Sequence, residues 1–305
     1  MTLVQPTEGE LKLNGLRSHY FEWRGSGERP LVLMHGLRDY AYYWQDCANR
    51  LLDDFHVFAP DMRGHGESEF APGGYGVWAF AADLAAFVNA VGLERFDLVG
   101  LSLGSRCSMA YARENSLRLR HLMLVDMGPQ MAKAGARGLK DDMTAKADRP
   151  PSSFTLEQAR EFYRTQWPSL DEASLERLIA NSLVQGDPST PADAGLRAGG
   201  MYANRYDRRL ADITTKAAIP EIPYLWESLT RVRCPAMVLR GELSPILDEE
   251  ISSRMVASLP DGRLQVFKET GHSLPRLAPE AFASVVRGFL LDEAPVIPFD
   301  AAQDR

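Results

Sequence analysis

Residues 96–107 read Phe-Asp-Leu-Val-Gly-Leu-Ser-Leu-Gly-Ser-Arg-Cys, an apolar run that enters a turn of small residues and continues with helical spacing. Ser102 stands at the centre of that turn, in a Gly-x-Ser-x-Gly pattern. A serine in such a turn is held in a tight backbone at the end of a strand, so its hydroxyl projects above the sheet while the next amide begins a helix. Gly100 and Gly104 lack the β-carbons that would clash there. The stretch therefore predicts a strand, a candidate nucleophilic serine and a helix.

Short runs of mostly apolar residues on both sides of this stretch predict a mostly parallel sheet. They lie at 30–34, 55–59, 122–125, 236–239 and 264–267. An uninterrupted apolar run is typical of a strand buried on both faces, and strands separated by helical segments imply right-handed crossovers. Residues 9–24 alternate around Asn14-Gly15, which predicts an antiparallel hairpin at the sheet edge. We therefore expect an α/β fold with a mostly parallel central sheet flanked by helices.

The strand pattern stops between residues 130 and 228. Helical spacing replaces it at about 155–166, 171–183 and 195–216. We therefore predict an all-helical insertion over 130–228, set into a core made of residues 1–129 and 229–292. Residues 293–305 contain two prolines and no periodicity, which predicts an extended tail.

Composition and charge indicate which kinds of molecule the protein binds. The chain has 305 residues, of which 45% are hydrophobic and 25% charged, as in globular proteins. A net charge of −7 without a Lys/Arg cluster argues against nucleic acid or an anionic membrane as partner. The first residues lack the pattern of a signal peptide and no stretch has 18 uninterrupted apolar residues, so we expect a soluble, cytoplasmic protein that acts on a small molecule. Cys47, Cys107 and Cys234 are odd in number and widely spaced, which favours reduced packing residues over disulfides or a zinc site.

Three motifs together resemble those of the α/β-hydrolase superfamily. They are His35-Gly36 after an early strand, Asp61-x-Arg63-Gly64-x-Gly66-x-Ser68 after the next, and Gly100-x-Ser102-x-Gly104 with Gly271-His272 after the last strand. Their order and spacing are far more specific than any one motif alone, and the likeness covers about residues 30–128 and 230–291. The resemblance implies the family order of serine, acid and histidine. It also implies that the insertion over 130–228 is a cap above the active site.

Ser102 needs a general base, because an alcohol is a poor nucleophile near neutral pH. His272 follows the last strand in a glycine-flanked loop, where it can face Ser102, and we predict that it is this base. The other histidines are expected to have packing or structural roles; they are His19, His35, His56, His65 and His121.

The developing oxyanion needs preorganised hydrogen-bond donors. By resemblance, these donors are the backbone amides of Leu37, after the His35-Gly36 turn, and of Leu103, at the start of the helix.

The acid departs from the usual family pattern. Most members carry an aspartate three residues after the glycine that ends the seventh strand, and counted from Gly241 that place holds Ser244. The superfamily has a second place for the acid, after the strand next to the nucleophile strand, and Asp126 occupies it, as in zearalenone lactonases and some haloalkane dehalogenases. We predict Asp126 as the acid. Glu242, Asp248 or no acid at all stay open as alternatives, although Asp248 is also placed to be a helix N-cap.

The predicted function is that of a capped serine hydrolase that cleaves a carboxylic ester or lactone with a hydrophobic portion through an acyl-enzyme. Haloalkane dehalogenases and epoxide hydrolases of this fold use an aspartate where this chain has Ser102, so ester-type chemistry is preferred. Two alternatives stay open: a carbon-carbon bond hydrolase of ring-cleavage products, and a non-catalytic ligand receptor that reuses the fold. The sequence contains no metal-ligand cluster or phosphate loop, so we expect no cofactor and no metal.

Aromatic residues in the predicted cap are candidates for the substrate pocket. Those we select are Trp167, Tyr202, Tyr206 and Trp226. Core packing is the default interpretation of each, and some are expected to line an apolar pocket.

Overall fold

One eight-stranded sheet forms the centre of the molecule within the residues that the computed structural model describes, which are 3–137, 155–168, 171–185, 202–207, 209–210 and 220–292. The strands are β1 (Thr7–Leu13), β2 (Leu16–Trp23), β3 (Arg29–Met34), β4 (Phe55–Pro60), β5 (Phe96–Leu101), β6 (Leu119–Val125), β7 (Leu183–Gln185), β8 (Tyr202–Asn204), β9 (Ala236–Gly241) and β10 (Gly262–Phe267). The α-helices are α1 (Gln45–Asn49), α2 (Val77–Ala90), α3 (Leu103–Asn115), α4 (Leu156–Gln166), α5 (Glu172–Ser182), α6 (Glu221–Thr230), α7 (Glu249–Ser258), α8 (Leu274–Leu277) and α9 (Pro279–Leu290). Among these described helices, none is long and apolar enough to cross a bilayer.

The large sheet has the order β1-β2-β4-β3-β5-β6-β9-β10. β2 is antiparallel to β1 and to β4, and every other neighbouring pair is parallel. The hairpin turn between β1 and β2 places Asn14 at φ 50° and Gly15 at φ 88°, a left-handed pair that these two residue types tolerate. The predictions of a mostly parallel sheet and of an edge hairpin are therefore confirmed.

The central parallel strands β3, β5, β6 and β9 are mostly apolar because helices cover both faces of the sheet. Along β5, Leu98 packs into the layer of α2 and α3, whereas Val99 packs into the layer of α9. All six residues of β5 are buried. Because β3, β5, β6 and β9 are parallel neighbours, their carboxyl ends meet at one edge of the sheet, where binding sites of open α/β sheets lie.

The predicted all-helical insertion is only partly helical. α4 and α5 form where helices were predicted, and each begins at an N-cap side chain, Thr155 for α4 and Asp171 for α5. The helix predicted over 195–216 is wrong at Tyr202–Asn204, which pairs as β8 with β7 in an antiparallel ladder. A strand of three residues is too short to show a clear alternation of apolar and polar residues. The helical spacing of the surrounding sequence therefore led to the helix prediction here. The other residues of 195–216, except 205–207 and 209–210, lie outside the described residues, as does the tail 293–305.

Both flanks of the insertion are tied to α3 through Arg106. Its guanidinium donates to the carbonyl of Pro129 at 2.7 Å and to the carboxylate of Glu221 at 2.8 Å. The second oxygen of Glu221 accepts from the amide of Val77 at 2.9 Å. The side chains of Arg106 and Glu221 are 8% and 1% exposed, so this ion pair is buried. The predicted boundary at residue 228 falls inside α6, whose buried face packs in the layer of α2 and α3.

Candidate active site

Ser102 occupies the strained turn between β5 and α3. Its backbone has φ 54° and ψ −115°, a conformation that L-residues rarely adopt and that costs roughly 1–3 kcal/mol. The glycines make the turn possible: a β-carbon on Gly104 would lie 2.3 Å from the carbonyl oxygen of Met34, and one on Gly100 would lie 2.4 Å from that of Gly104. The Ser102 side chain therefore stands at the carboxyl edge of the sheet, and the residue is 8% exposed.

The turn after β3 lies against Ser102. A β-carbon on Gly36 would lie 3.5 Å from the β-carbon of Ser102, and the Gly104 amide donates to the carbonyl of His35 at 3.1 Å. Within the described residues, the amides of Leu37 and Leu103 donate to no protein acceptor. Both predicted oxyanion donors are thus available on the two turns that meet at the serine. Their role stays a prediction.

His272 contacts Asp126 across the carboxyl ends of two strands. The imidazole Nδ1 lies 2.7 Å from Asp126 Oδ2, inside the range of about 2.6–3.2 Å that we expect for a histidine and its orienting acid. Asp126 follows β6, is fully buried and has φ 49°, a left-handed conformation that aspartate tolerates. The predicted position of β6 beside β5 is confirmed.

Three groups hold the Asp126 carboxylate. Oδ1 accepts from the amide of Gly241 at 2.9 Å, while Oδ2 accepts from His272 and from the hydroxyl of Ser244. Ser244 also accepts from the amide of Ile246 at 3.1 Å, which fixes the direction of its own hydroxyl. Sequence reasoning noticed that Ser244 replaces the usual acid but missed its hydrogen bond to Asp126, the predicted acid after the neighbouring strand.

The two alternative acids lie elsewhere. Glu242 accepts from Lys268 Nζ at 2.9 Å and from the amide of Glu269 at 3.0 Å. These bonds, the backbone one first, hold the pKa of Glu242 below its ordinary value. Asp248 caps α7 by accepting from the amide of Ile251 at 2.8 Å. Both carboxylates are therefore engaged in local structure away from the His272 contact.

The remaining histidines have other partners. His35 donates to the carbonyl of Gly36 at 2.8 Å and accepts from the amide of Met62 at 3.0 Å, so it links the two loops after β3 and β4. Burial lowers the pKa of His35, and burial together with His35 lowers that of His65 to about 3. Each of the other three contacts a carboxylate: His19 contacts Asp61, His56 contacts Glu22, and His121 contacts Asp97.

The four candidate pocket aromatics separate into two groups. Trp167 and Tyr202 pack against the cluster formed by α4 and α5, whereas Tyr206 and Trp226 pack against the layer of α2 and α3. Trp226 donates to Gln130 at 3.2 Å and carries the guanidinium of Arg254 over its ring at 3.8 Å. The four do not form one packed group, and their role in binding stays a prediction.

Asp39 is a carboxyl at this site that sequence reasoning missed. Its Oδ2 lies 3.0 Å from the point where a β-carbon of Gly36 would be, the same point that lies 3.5 Å from the Ser102 β-carbon. Burial raises the pKa of Asp39, and the positive charge of Arg276 opposes that rise most. The only signal in the sequence was its place three residues after Gly36 in the loop that follows β3.

Comparison with known proteins agrees with this architecture. Residues 29–275 match the family model described as alpha/beta hydrolase fold. A 3-hydroxybutyrate-oligomer hydrolase of Cupriavidus necator is 28% identical over 255 residues, which cover 79% of this chain and 82% of that protein. An N-formylmaleamate deformylase of Pseudomonas putida is 37% identical over 130 residues, which cover 42% of this chain and 47% of the deformylase.

Solved structures give the same result. An alpha/beta hydrolase from Novosphingobium aromaticivorans is 26% identical, with a TM-score of 0.73 over 96% of this chain and 100% of that one. The family match spans most of the chain, and the relatives named above are hydrolases. The chain therefore belongs to the alpha/beta hydrolase fold family and is a hydrolase.

Proposed function

We propose that this hydrolase uses Ser102 as its nucleophile to cleave a carboxylic ester or lactone with a hydrophobic portion, through an acyl-enzyme. The observation that carries the proposal is the contact of His272 with buried Asp126 at the sheet edge where the strained Ser102 turn stands. Serine, histidine and carboxylate together form the triad that carries out acyl transfer in many hydrolases.

The Asp126 contact decides which ring nitrogen of His272 can act as base. A carboxylate oxygen at 2.7 Å from Nδ1 keeps the proton on Nδ1, because the carboxylate can only accept. Nε2 then carries the lone pair and takes the proton of Ser102 as the hydroxyl attacks the substrate carbonyl. The buried negative charge of Asp126 stabilises the imidazolium that forms.

The amides of Leu37 and Leu103 bind the oxyanion of the tetrahedral intermediate. Leu103 begins α3, so the helix dipole adds to its amide. His272 next protonates the leaving alcohol, and a water molecule activated by the same imidazole releases the acyl group.

An ester or lactone is favoured among possible acyl substrates. The relative from Cupriavidus necator is named for hydrolysis of 3-hydroxybutyrate oligomers, and oligomers of a hydroxy acid are joined through ester bonds. A lactone contains the same bond within a ring. The substrate is a small molecule in this proposal, and neither nucleic acid nor a membrane is needed.

Labelling and turnover test the proposal together. We expect a fluorophosphonate to label Ser102 and p-nitrophenyl esters to be hydrolysed, with Ser102→Ala reducing kcat by roughly 10⁴-fold or more. Ser108→Ala is the matched control, since Ser108 is buried on the same helix. Loss of labelling in the control, or more than a tenth of the activity left in purified Ser102→Ala, would mean another nucleophile. Turnover of a vinylogous 1,5-diketone in preference to every ester would favour carbon-carbon cleavage instead.

A further inference from the structure

A cleft of about 740 Å³ lies between α5 and the core. Its walls include Tyr40 and Tyr43 from the segment before α1, Arg177 and Leu178 from α5, and Arg276 from α8. This volume is in the range of small-molecule sites. Two parts of its wall are next to candidate active-site residues in the chain: Tyr40 follows Asp39, and α8 begins just after His272.

Two aromatic rings hold the guanidinium of Arg276 in this cleft. Its central carbon lies 4.6 Å from the ring centroid of Tyr43 and 4.5 Å from that of Trp167. Cation–π contacts of this kind fix the plane of a guanidinium while its N–H groups point outward in that plane. Tyr43 belongs to the core, and Trp167 follows α4 in the insertion. Arg276 therefore lies where the core and the insertion meet.

The guanidinium N–H groups of Arg276 have no protein acceptor within the described residues, whereas its backbone amide donates to the carbonyl of Ser273 at 3.0 Å. The other two arginines of the cleft wall differ: Arg50 donates to Glu280 at 2.9 Å, and Arg177 donates to Ser174 at 2.8 Å. Buried and half-buried donors are normally satisfied, and a planar guanidinium is best satisfied by a carboxylate that accepts two bonds.

The charge of Arg276 is felt at Asp39, a carboxyl of the candidate active site. Arg276 and His272 both act on the Asp39 carboxyl, which lies against Gly36 beside Ser102. Within the described part of the chain, no ion pair within 4.0 Å joins Arg276 to Asp39. None joins it to the acids of the cleft wall either, which are Asp46, Asp171 and Glu280.

We propose that Arg276 binds a carboxylate of the substrate, so that the preferred ester or lactone carries a second, anionic carboxyl group away from the bond that is cleaved. This inference rests on the proposed function and assigns a substrate class to it. The carboxylate lies in the plane of the guanidinium between Tyr43 and Trp167, while the ester carbonyl lies at Ser102.

A pair of esters of matched length tests the substrate class. For mono-p-nitrophenyl glutarate, Arg276→Gln should lower kcat/KM roughly 10- to 100-fold, mainly through KM, since a charge-assisted pair is lost. For neutral p-nitrophenyl valerate the same variant should change kcat/KM by less than about twofold. Arg276→Lys, which keeps the charge but not the planar fork, should recover part of the loss. Arg254→Gln is the control, because Arg254 also lies over an aromatic ring but outside the cleft lining.

A binding measurement separates this inference from the proposed function. Calorimetry with glutarate should show binding to the wild-type protein and to Ser102→Ala, and at least about tenfold weaker binding to Arg276→Gln. Equal losses on both esters, or unchanged glutarate affinity in Arg276→Gln, would overturn the role of Arg276. If the wild type hydrolyses neither ester, the proposed function fails, whereas the glutarate affinities still decide whether Arg276 binds a carboxylate.

Discussion

Ser244 donates its hydroxyl to Asp126 Oδ2, the oxygen that also accepts from His272 Nδ1. The residue at the usual acid position therefore contacts Asp126, the acid that we propose at the alternative position. Together with the Gly241 amide on Oδ1, these donors fix the carboxylate in one orientation. The support is specific, because Ser244 is itself held by the amide of Ile246.

Asp126→Asn should lower kcat/KM by roughly 10³- to 10⁴-fold in a protein that still folds. The amide of asparagine favours the wrong histidine tautomer, because its NH₂ group cannot accept from Nδ1–H. Glu242→Gln is the control and should leave kcat/KM nearly unchanged, since Glu242 bonds Lys268 and the Glu269 amide instead. Steady-state kinetics with a p-nitrophenyl ester measures both. The reverse result would move the acid to the loop after β9.

Ser244→Asp should restore at least about tenfold of the activity lost in Asp126→Asn. The side chain at position 244 reaches the same oxygen that His272 contacts, so a carboxylate there can take over the imidazole. Ser244→Asn in the same background is the matched control and should restore nothing. Rescue by asparagine as well as aspartate would show that polarity, not charge, is what the imidazole requires.

Arg106→Met should lower the free energy of unfolding by about 3–5 kcal/mol, because it leaves the buried Glu221 carboxylate without its ion pair. Urea denaturation checks this value. Arg231→Met is the control: its pair with Glu227 is about half exposed, so the loss should stay below about 1 kcal/mol. Similar losses in both variants would mean that the buried pair contributes no more than a surface pair.

His65 should make stability fall as the pH is lowered. In the folded chain its pKa is about 3, against an ordinary value of 6.5, so between these values the unfolded chain binds the extra proton. Stability therefore rises with pH across this window and is lost as the pH falls from 6.5 towards 3. Lowering the pH from about 6.5 to about 5 should reduce the free energy of unfolding by about 2 kcal/mol through His65. Urea denaturation at about pH 7.5 and at about pH 5 measures this effect. On going to pH 5, the free energy of unfolding should fall less for His65→Gln than for wild type. Equal falls in the two proteins would contradict the lowered pKa of His65.

The sequence predicted the elements whose causes are local. The apolar runs of the parallel strands and the glycines around Ser102 act on their immediate neighbours, so spacing alone reveals the sheet and the turn. The position of Asp126 beside the Ser102 strand followed from the family resemblance. The order β5-β6-β9 agrees with that expectation.

Contacts between distant segments could not be predicted in this way. Arg276 meets Tyr43 and Trp167, which are far apart in the chain, and no spacing between them marks a common site. The pairing of β8 with β7 is similar, because each strand has only three residues and gains its backbone partners from the other. The hydrogen bond from Ser244 to Asp126 depends on the alignment of two loops, which the residue types alone do not specify.

The position of β6 between β5 and β9 has an evolutionary consequence. A single imidazole can be approached from the ends of two adjacent strands, so the acid can change its place in the chain while the nucleophile and the base stay where they are. An ancestor with a carboxylate on either strand could reach the other arrangement through two substitutions, with a small polar residue left at the vacated position. Ser244 fits this description, since it follows β9, carries no charge and still donates its hydroxyl to Asp126.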